Sequence, residues 1–353
     1  MLKLENIHKK AGNFSLENID FTVDQGDYFV LIGKSGAGKS MILETIAGLL
    51  IPNKGDILMN GQSILNTPIQ QRNMGLVYQK PTLFPHMSVF DNIAYPLKIR
   101  KFTKKEIKTR VEQLAEQVEI QSVLNRNIGS LSGGELQRVT IARTLATNPK
   151  ILLLDEPLSF LDVQLKRGML TLLRKLHQQG QTIIHVTHDY EEALSLANRV
   201  AIIEQGQILQ IGTPQEVFQQ PKSAFVANFI GMDNFFQGQV DPSSKFPGLN
   251  QMTVGETSIL IPSSSSSHSK GYISIPGTAI TLSEEKIQSS AVNNFKGAIL
   301  EIFKTTTGLE VVVDIGIQLS ARISDHSSDH LQLHHGKPIW VSFKANSVRF
   351  FDA

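Results

Sequence analysis

The residues Gly33-Lys34-Ser35-Gly36-Ala37-Gly38-Lys39-Ser40 fit the pattern G-x-x-x-x-G-K-[ST], whose chemistry is phosphate binding. Glycines let successive backbone N–H groups converge on phosphate oxygens, and a helix that starts there adds a favourable dipole. Lys39 is placed to reach β and γ phosphates, and Ser40 to ligate Mg²⁺. Other stretches carry polar groups at the ends of apolar runs. Ile151-Leu152-Leu153-Leu154 ends in Asp155 and Glu156, and Thr182–Val186 leads to His188. Gln79 follows Gly75–Tyr78. Leu131-Ser132-Gly133-Gly134-Glu135 opens a helical pattern, and Leu158-Ser159-Phe160-Leu161 ends in Asp162.

These groups need elements to position them. Tyr28–Ile32 is apolar and reads as a strand, and Met41–Leu50 is helix-like. Strand, glycine-rich turn and helix form the context that the phosphate-binding pattern requires. The runs at Tyr28, Gly75, Ile151 and Thr182 are apolar on both faces, as in a parallel sheet covered by helices. Between them, Thr103-Lys104-Lys105-Glu106 reads as a capping box. Ile107, Val111, Leu114 and Val118 then make one apolar helix face for packing. After Phe236 helical periodicity fades. Short β-type runs such as Leu309–Val313 and Ile339–Phe343 alternate with Gly, Ser and Pro turns, which points to a small all-β barrel or sandwich. The serine tract Ser263–Ser267 reads as a loop within it.

The chain has 353 residues, enough for two domains. With 41% hydrophobic and 19% charged residues it can form a packed core, and its net charge of +2 gives no reason to expect nucleic acid as a partner. The absence of cysteine rules out disulfides and thiolate metal sites. Met1-Leu2-Lys3-Leu4-Glu5 lacks the basic-then-apolar order of a signal peptide. No apolar run approaches the roughly 18 residues that span a bilayer, so a membrane role requires other chains.

In their order along the chain, the phosphate loop, Gln79, Leu131–Glu135, Asp155-Glu156 and His188 resemble the ATP-binding cassette (ABC) ATPases over about residues 1–232. No GTPase or kinase reading explains Ser132–Glu135. The resemblance implies an α/β fold: a P-loop ATPase with a RecA-like core and a helical subdomain at about residues 84–145. It implies ATP and Mg²⁺ as cofactors. Lys39 and the amides of Gly33, Lys34, Ser35, Gly36, Ala37 and Gly38 would hold phosphates. Ser40, Gln79 and Asp155 would form the metal shell. Glu156 would act as general base or polarise the attacking water, and His188 would contact the γ-phosphate. Ser132, Gly133 and Gly134 would complete the nucleotide site of a second copy, which implies a homodimer with two composite sites coupled through Asp162. Relatives place an aromatic before the loop to stack on adenine. Here those positions are Lys10 and Ala11, and Phe14 follows, alternating with Leu16 like a strand core residue. Phe14 thus reads either as the adenine stack or as core. Lys34 stands where importers often carry proline, with its side chain directed out of the loop.

Val77-Tyr78-Gln79-Lys80, Leu83-Phe84-Pro85-His86-Met87-Ser88-Val89 and Asn92-Ile93-Ala94 resemble importer ATPases, in which this segment docks on a membrane subunit. An exposed Phe-Pro-His-Met cluster fits a contact surface. Residues 236–353 resemble the oligonucleotide-fold-like (TOBE) regulatory domain of such proteins, most of all the molybdate-binding type, through Asn293–Gly297, Val311–Ile323 and Phe343–Val348. Asn13–Leu16, Gly231-Met232-Asp233-Asn234 and Gln288–Ser290 point to molybdate or tungstate importers as well. Ser290, Asn293, Lys344 and Ser347 are candidate oxyanion donors. Val292 replaces the arginine of that type and removes its bidentate charge. The implied function is ATP hydrolysis that powers molybdate or tungstate import, at the cytoplasmic face of the cell membrane as a peripheral subunit. Its partners would be membrane permease subunits and an extracytoplasmic substrate-binding protein. Importers of sulfate, polyamines, ferric iron or sugars share every catalytic motif, and a soluble ABC ATPase acting on nucleic acid or ribosomes is the alternative of another class.

Overall fold

Alternating apolar side chains make β1 (Leu2–Ala11) and β2 (Phe14–Val23) an antiparallel hairpin, turned at Gly12 with φ 59°. In this computed structural model, which describes residues 1–243, 246–263, 270–306 and 308–352, the hairpin continues through β4 (Lys54–Met59) and β5 (Gln62–Ser63) into a sheet of order β2-β1-β4-β5. Contacts divide the chain into two compact units, Met1–Val217 and Phe218–Ala353.

The second sheet of the first unit contains β3 (Tyr28–Ile32), β6 (Met74–Val77), β7 (Ile151–Asp155), β8 (Thr182–Thr187), β9 (Arg199–Glu204) and β10 (Gln207–Gly212). Its order is β10-β9-β3-β8-β7-β6, parallel except for β10. Every residue of β3 and β8 is buried, as strands covered on both faces must be. Leu2, Leu4, Leu16 and Ile19 of the hairpin share one core with Phe29, Leu31, Ile42 and Leu43.

Helix α1 (Lys39–Ala47) ends earlier than the apolar run suggests. Gly48 adopts φ 89°, a left-handed cap that glycine takes without steric cost, and the amides of Leu49 and Leu50 turn back to the Glu44 carbonyl. Three helices follow at α2 (Val89–Ile99), α3 (Lys104–Gln117) and α4 (Gly133–Leu145). The Thr103–Glu106 capping box forms, and Ile107, Val111, Leu114 and Val118 are buried. Beyond them come α5 (Val163–Gln178), α6 (Tyr190–Leu196) and α7 (Pro214–Gln219), which holds the division point.

The second unit begins with α8 (Ala224–Phe229), which packs on β11 (Phe235–Pro242). The strands β12 (Leu249–Val254), β13 (Thr257–Pro262), β14 (Lys270–Ser274), β15 (Thr281–Ser283), β16 (Asn293–Thr305), β17 (Gly308–Asp314), β18 (Gln318–Ile323), β19 (Pro338–Phe343) and β20 (Arg349–Asp352) follow, with α9 (Asp325–Leu331) after β18. They form two antiparallel sheets, β13-β12-β11-β14-β20 and β15-β19-β16-β17-β18. Val240, Ile259, Ile273, Ile299, Val311, Val341 and Phe343 fill one core shared by both. The Gly231–Asn234 stretch stitches this unit. Asn234 donates to the carbonyls of Ile275 and Ser320 at 2.8 Å each and accepts from the Ser320 amide at 2.6 Å, while Asp233 pairs with Arg322 at 2.8 Å. Apart from Ser263, the serine tract lies outside the described residues.

Candidate functional site

The candidate site grows from the C-terminal ends of β3, β6, β7 and β8, where strands in a parallel sheet deliver side chains to one rim. After β3 the chain turns through Gly33–Gly38 into α1. A Cβ at Gly33 would meet the Ile203 carbonyl oxygen at 2.2 Å. At Gly38, φ is 102° and a Cβ would meet Leu16 at 2.6 Å and the Phe14 ring at 2.9 Å. Steric room and backbone conformation both demand glycine there. Phe14 is half-buried and packs on the core beside Gly38, so its ring supports the turn. Lys34 is exposed.

Lys39 is 5% exposed, and its ammonium donates to the carbonyls of Gly33 at 2.8 Å and Lys34 at 2.9 Å. Burial pushes its pKa down, and the Glu156 and Asp155 charges oppose that shift. Ser40 Oγ donates to Asp155 Oδ1 at 2.9 Å. Burial raises the Asp155 pKa, the Ser40 bond opposes it, and neighbouring Glu156 adds to the rise. Two hard oxygen ligands this close are a donor set suited to Mg²⁺.

Glu156 is the centre of the cluster. Its Oε2 accepts from Gln79 Nε2 at 3.1 Å and stands 3.2 Å from His188 Nδ1, and its Oε1 is 3.7 Å from Lys39 Nζ. The backbone reaches this placement through φ 43°, a left-handed conformation that costs a non-glycine residue about 1–3 kcal/mol. The Glu156 amide donates to the Val186 carbonyl at 3.0 Å, which fixes the bend against β8. The structure therefore brings Lys39, Ser40, Gln79, Asp155, Glu156 and His188 together. It adds Ser159, whose Oγ accepts from Gln79 at 3.3 Å and donates to the Glu156 carbonyl at 3.0 Å. The sequence signal for Ser159 was its place three residues after Glu156, within reach of one turn.

Ser132 and Asp162 lie elsewhere. Ser132 caps α4, and Glu135 closes the capping box by accepting the Ser132 amide at 2.8 Å and its hydroxyl at 2.9 Å. Those bonds hold the Glu135 carboxyl below its usual range. Asp162 caps α5 by accepting from the Leu165 amide at 2.9 Å. A Cβ at Gly134 would meet Leu165 at 2.9 Å, and one at Gly133 would meet Leu161 at 3.9 Å, so the two caps share one surface. Phe160 and Val163 on it are 69% and 70% exposed. Among the described residues, no hydrogen bond or ion pair joins Ser132 or Asp162 to the Glu156 cluster.

Two expectations change. The Phe84–Met87 cluster is not uniformly exposed. Phe84 and Met87 are half-buried, the Phe84 ring lies 4.6 Å from Tyr95, and the Arg143 guanidinium sits 5.2 Å from it. Asn92, fully buried, holds the loop by accepting from the Phe84 amide at 2.8 Å and donating to its carbonyl at 3.1 Å. In the second unit, Asn293 is not available as an oxyanion donor. Its carboxamide is spent on β13, accepting from the Leu260 amide at 2.8 Å and donating to that residue's carbonyl at 2.9 Å. Ser290 and Lys344 are exposed, while Val292 and Ser347 are half-buried.

The ABC transporter family model matches residues 16–159, and the TOBE domain model matches residues 289–350. The molybdate/tungstate import ATP-binding protein WtpC of Pyrococcus horikoshii is 39% identical over 99% of this chain and 100% of its own length. The chain belongs to the ATP-binding proteins of ABC transporters. This ABC ATPase is also 37% identical to the spermidine/putrescine import ATP-binding protein PotA of Fusobacterium nucleatum, over 82% of this chain and 78% of that protein. Among solved structures it is similar to the ATP-binding cassette MJ0796, a dimer in a post-hydrolysis state with ADP and Pi. The TM-score is 0.55 at 30% identity, covering 61% of this chain and 99% of that one. The cassette CbiO1 of Clostridium perfringens gives a TM-score of 0.58 at 29% identity, over 62% and 90% of the two chains. Among the described residues of this ABC ATPase, no helix is long and apolar enough to cross a membrane.

Proposed function

We propose that this chain hydrolyses ATP to power the import of molybdate or tungstate, as a peripheral subunit on the cytoplasmic face of a membrane permease that receives its substrate from an extracytoplasmic binding protein. Residues 1–232 are the motor and residues 236–353 the regulatory unit. The observation that carries the reading is the convergence of Gln79, His188 and Lys39 on the Glu156 carboxylate. Similarity along the whole length of WtpC supports the substrate class.

The chemistry follows from those positions. Phosphoryl transfer is governed by placement and charge stabilisation. Lys39 and the amides of the glycine-rich turn neutralise the β and γ phosphates. Glu156 orients the attacking water and accepts its proton, and His188 and Gln79 hold that carboxylate in place. Ser40, Gln79 and Asp155 would hold Mg²⁺, which supplies charge neutralisation at the phosphates. Ser132, Gly133 and Gly134 serve the site of a second copy, and the exposed Phe160–Val163 surface beside them supports a homodimer. Pro85 and His86 face solvent beside the cavity of about 300 Å³ lined by Tyr95, Pro96 and Arg143, which is a surface for the permease. Relatives named for polyamine import favour a second reading, polyamine as substrate.

Cellular molybdenum, tungsten and sulfur on limiting medium, and labelled spermidine uptake, compared between wild type and Glu156→Gln, test the substrate. A selective fall in molybdenum or tungsten is expected. A selective fall in spermidine uptake would move the assignment to polyamines.

A further inference from the structure

Beside the Glu156 cluster lies a second group of charges to which no role has been given so far. Lys166 Nζ stands 2.5 Å from Asp189 Oδ2 and 2.8 Å from Glu192 Oε1. Glu192 is 4% exposed, and its other oxygen lies 3.5 Å from His185 Nε2. The His185 ring is fully buried with Nδ1 3.1 Å from the Tyr28 hydroxyl. Burial, with Lys166 nearby, pushes the His185 pKa down to about 3. The ring is therefore neutral, and Lys166 is the only cation that these contacts bring to the two carboxylates.

The position of each partner gives the group its meaning. Lys166 lies in the first turns of α5, and its amide donates to the Asp162 carbonyl at 2.8 Å. Asp189 follows His188 directly, caps α6 by accepting from the Glu191 amide at 2.8 Å, and its own amide donates to the Thr187 hydroxyl oxygen at 3.0 Å. Lys166 thus links the start of α5, through its backbone amide, to the segment that carries His188, through its ammonium; His188 Nδ1 is 3.2 Å from Glu156. The Lys166–Asp189 pair is 28% and 27% exposed, and pairs that wet contribute little to stability. Two simultaneous contacts from one ammonium, to Asp189 at the start of α6 and to Glu192 in its first turn, do constrain how α6 sits against α5.

We propose that Lys166 is a positioning residue for ATP hydrolysis, which holds the His188 segment in register with Glu156 and ties it to the Asp162 turn. This rests on the reading that His188 holds the Glu156 carboxylate in place.

Steady-state ATP hydrolysis by the full chain with Mg²⁺ tests it, using Lys166→Met, Lys166→Arg, His188→Ala and the Lys166→Met/His188→Ala pair. Lys166→Met is expected to lower kcat by about tenfold or more with KM changed less than about twofold, because the lost contact acts only on the reacting geometry. Lys166→Arg is expected to restore most of kcat. Added to His188→Ala, Lys166→Met is expected to cost less than about twofold more, since residues acting through one another are non-additive. Lys166→Met leaves Glu192 buried without its counter-charge, so Lys166→Met/Glu192→Gln is measured alongside and is expected to show the same loss of kcat in a folded chain. Wild-type kcat in both Lys166 variants, or equal losses from Lys166→Met with and without His188, would overturn the proposal while leaving His188 in its role. Wild-type kcat in His188→Ala would instead remove the His188 reading and the proposal with it.

Discussion

At the scale of single residues, the decisive group is Glu156. It accepts from Gln79, meets His188 and Lys39, and holds φ 43° to do so. Glu156→Gln keeps the volume and the Gln79 contact but removes the proton acceptor. General-base loss typically costs about 10²–10⁴-fold, so kcat is expected to fall by at least about 100-fold with ATP affinity retained, as read by steady-state turnover and nucleotide titration. Normal turnover would remove Glu156 from its role. The six members of this cluster were legible in the sequence because phosphoryl transfer needs fixed residue types at the ends of apolar strands. Lys166 was not, since Asp189 and Glu192 come beside it only on folding, and the parts of Ser159 and Asn92 depend on how the Glu156 turn and the Phe84 loop bend back on themselves. Asn293 was misread for a related reason. A carboxamide suits an anion, but it equally suits a strand's backbone groups, and its use by Leu260 depends on β13 lying beside β16.

At the scale of elements, α4 and α5 present Ser132 and Asp162 as N-caps on one surface, with Gly134 letting Leu165 approach. Neither cap forms a hydrogen bond or ion pair with the Glu156 cluster among the described residues, and the proposed composite site assigns their role to a second copy. Ser132→Arg places a long cation where a small capping hydroxyl now sits, in an exposed position that the fold tolerates. Hydrolysis is expected to fall by about 100-fold, the scale of losing a transition-state donor, while ATP binding measured by titration stays within about twofold of wild type. Equal loss of binding and turnover would show that Ser132 serves its own chain's site. Helix α3 was readable from its period and capping box, and the parallel strands from their unbroken apolar runs. Of the β1–β2 hairpin only the alternation of Phe14 and Leu16 was legible, because the register shifts between Leu4 and Lys9 depend on the pairing of the two strands. The end of α1 was overrun because apolar Leu49 and Leu50 continue the pattern past Gly48, where backbone conformation alone stops the helix.

At the scale of the whole molecule, each motif occurs once per chain, and the phosphate-binding turn and Ser132 are joined by no hydrogen bond or ion pair among the described residues. We propose that a complete ATP site is made by two copies, each lending its Ser132 surface to the other's Gly33–Ser40 turn. The chain has no cysteine, which makes this arrangement directly measurable. With Ser35→Cys and Ser132→Cys introduced together in the Glu156→Gln chain, oxidation followed by denaturing electrophoresis reads whether the two positions meet between chains. A covalent dimer that forms with ATP and Mg²⁺ and not without them is the expected result. No covalent dimer, or one equally abundant without ATP, would contradict the composite site.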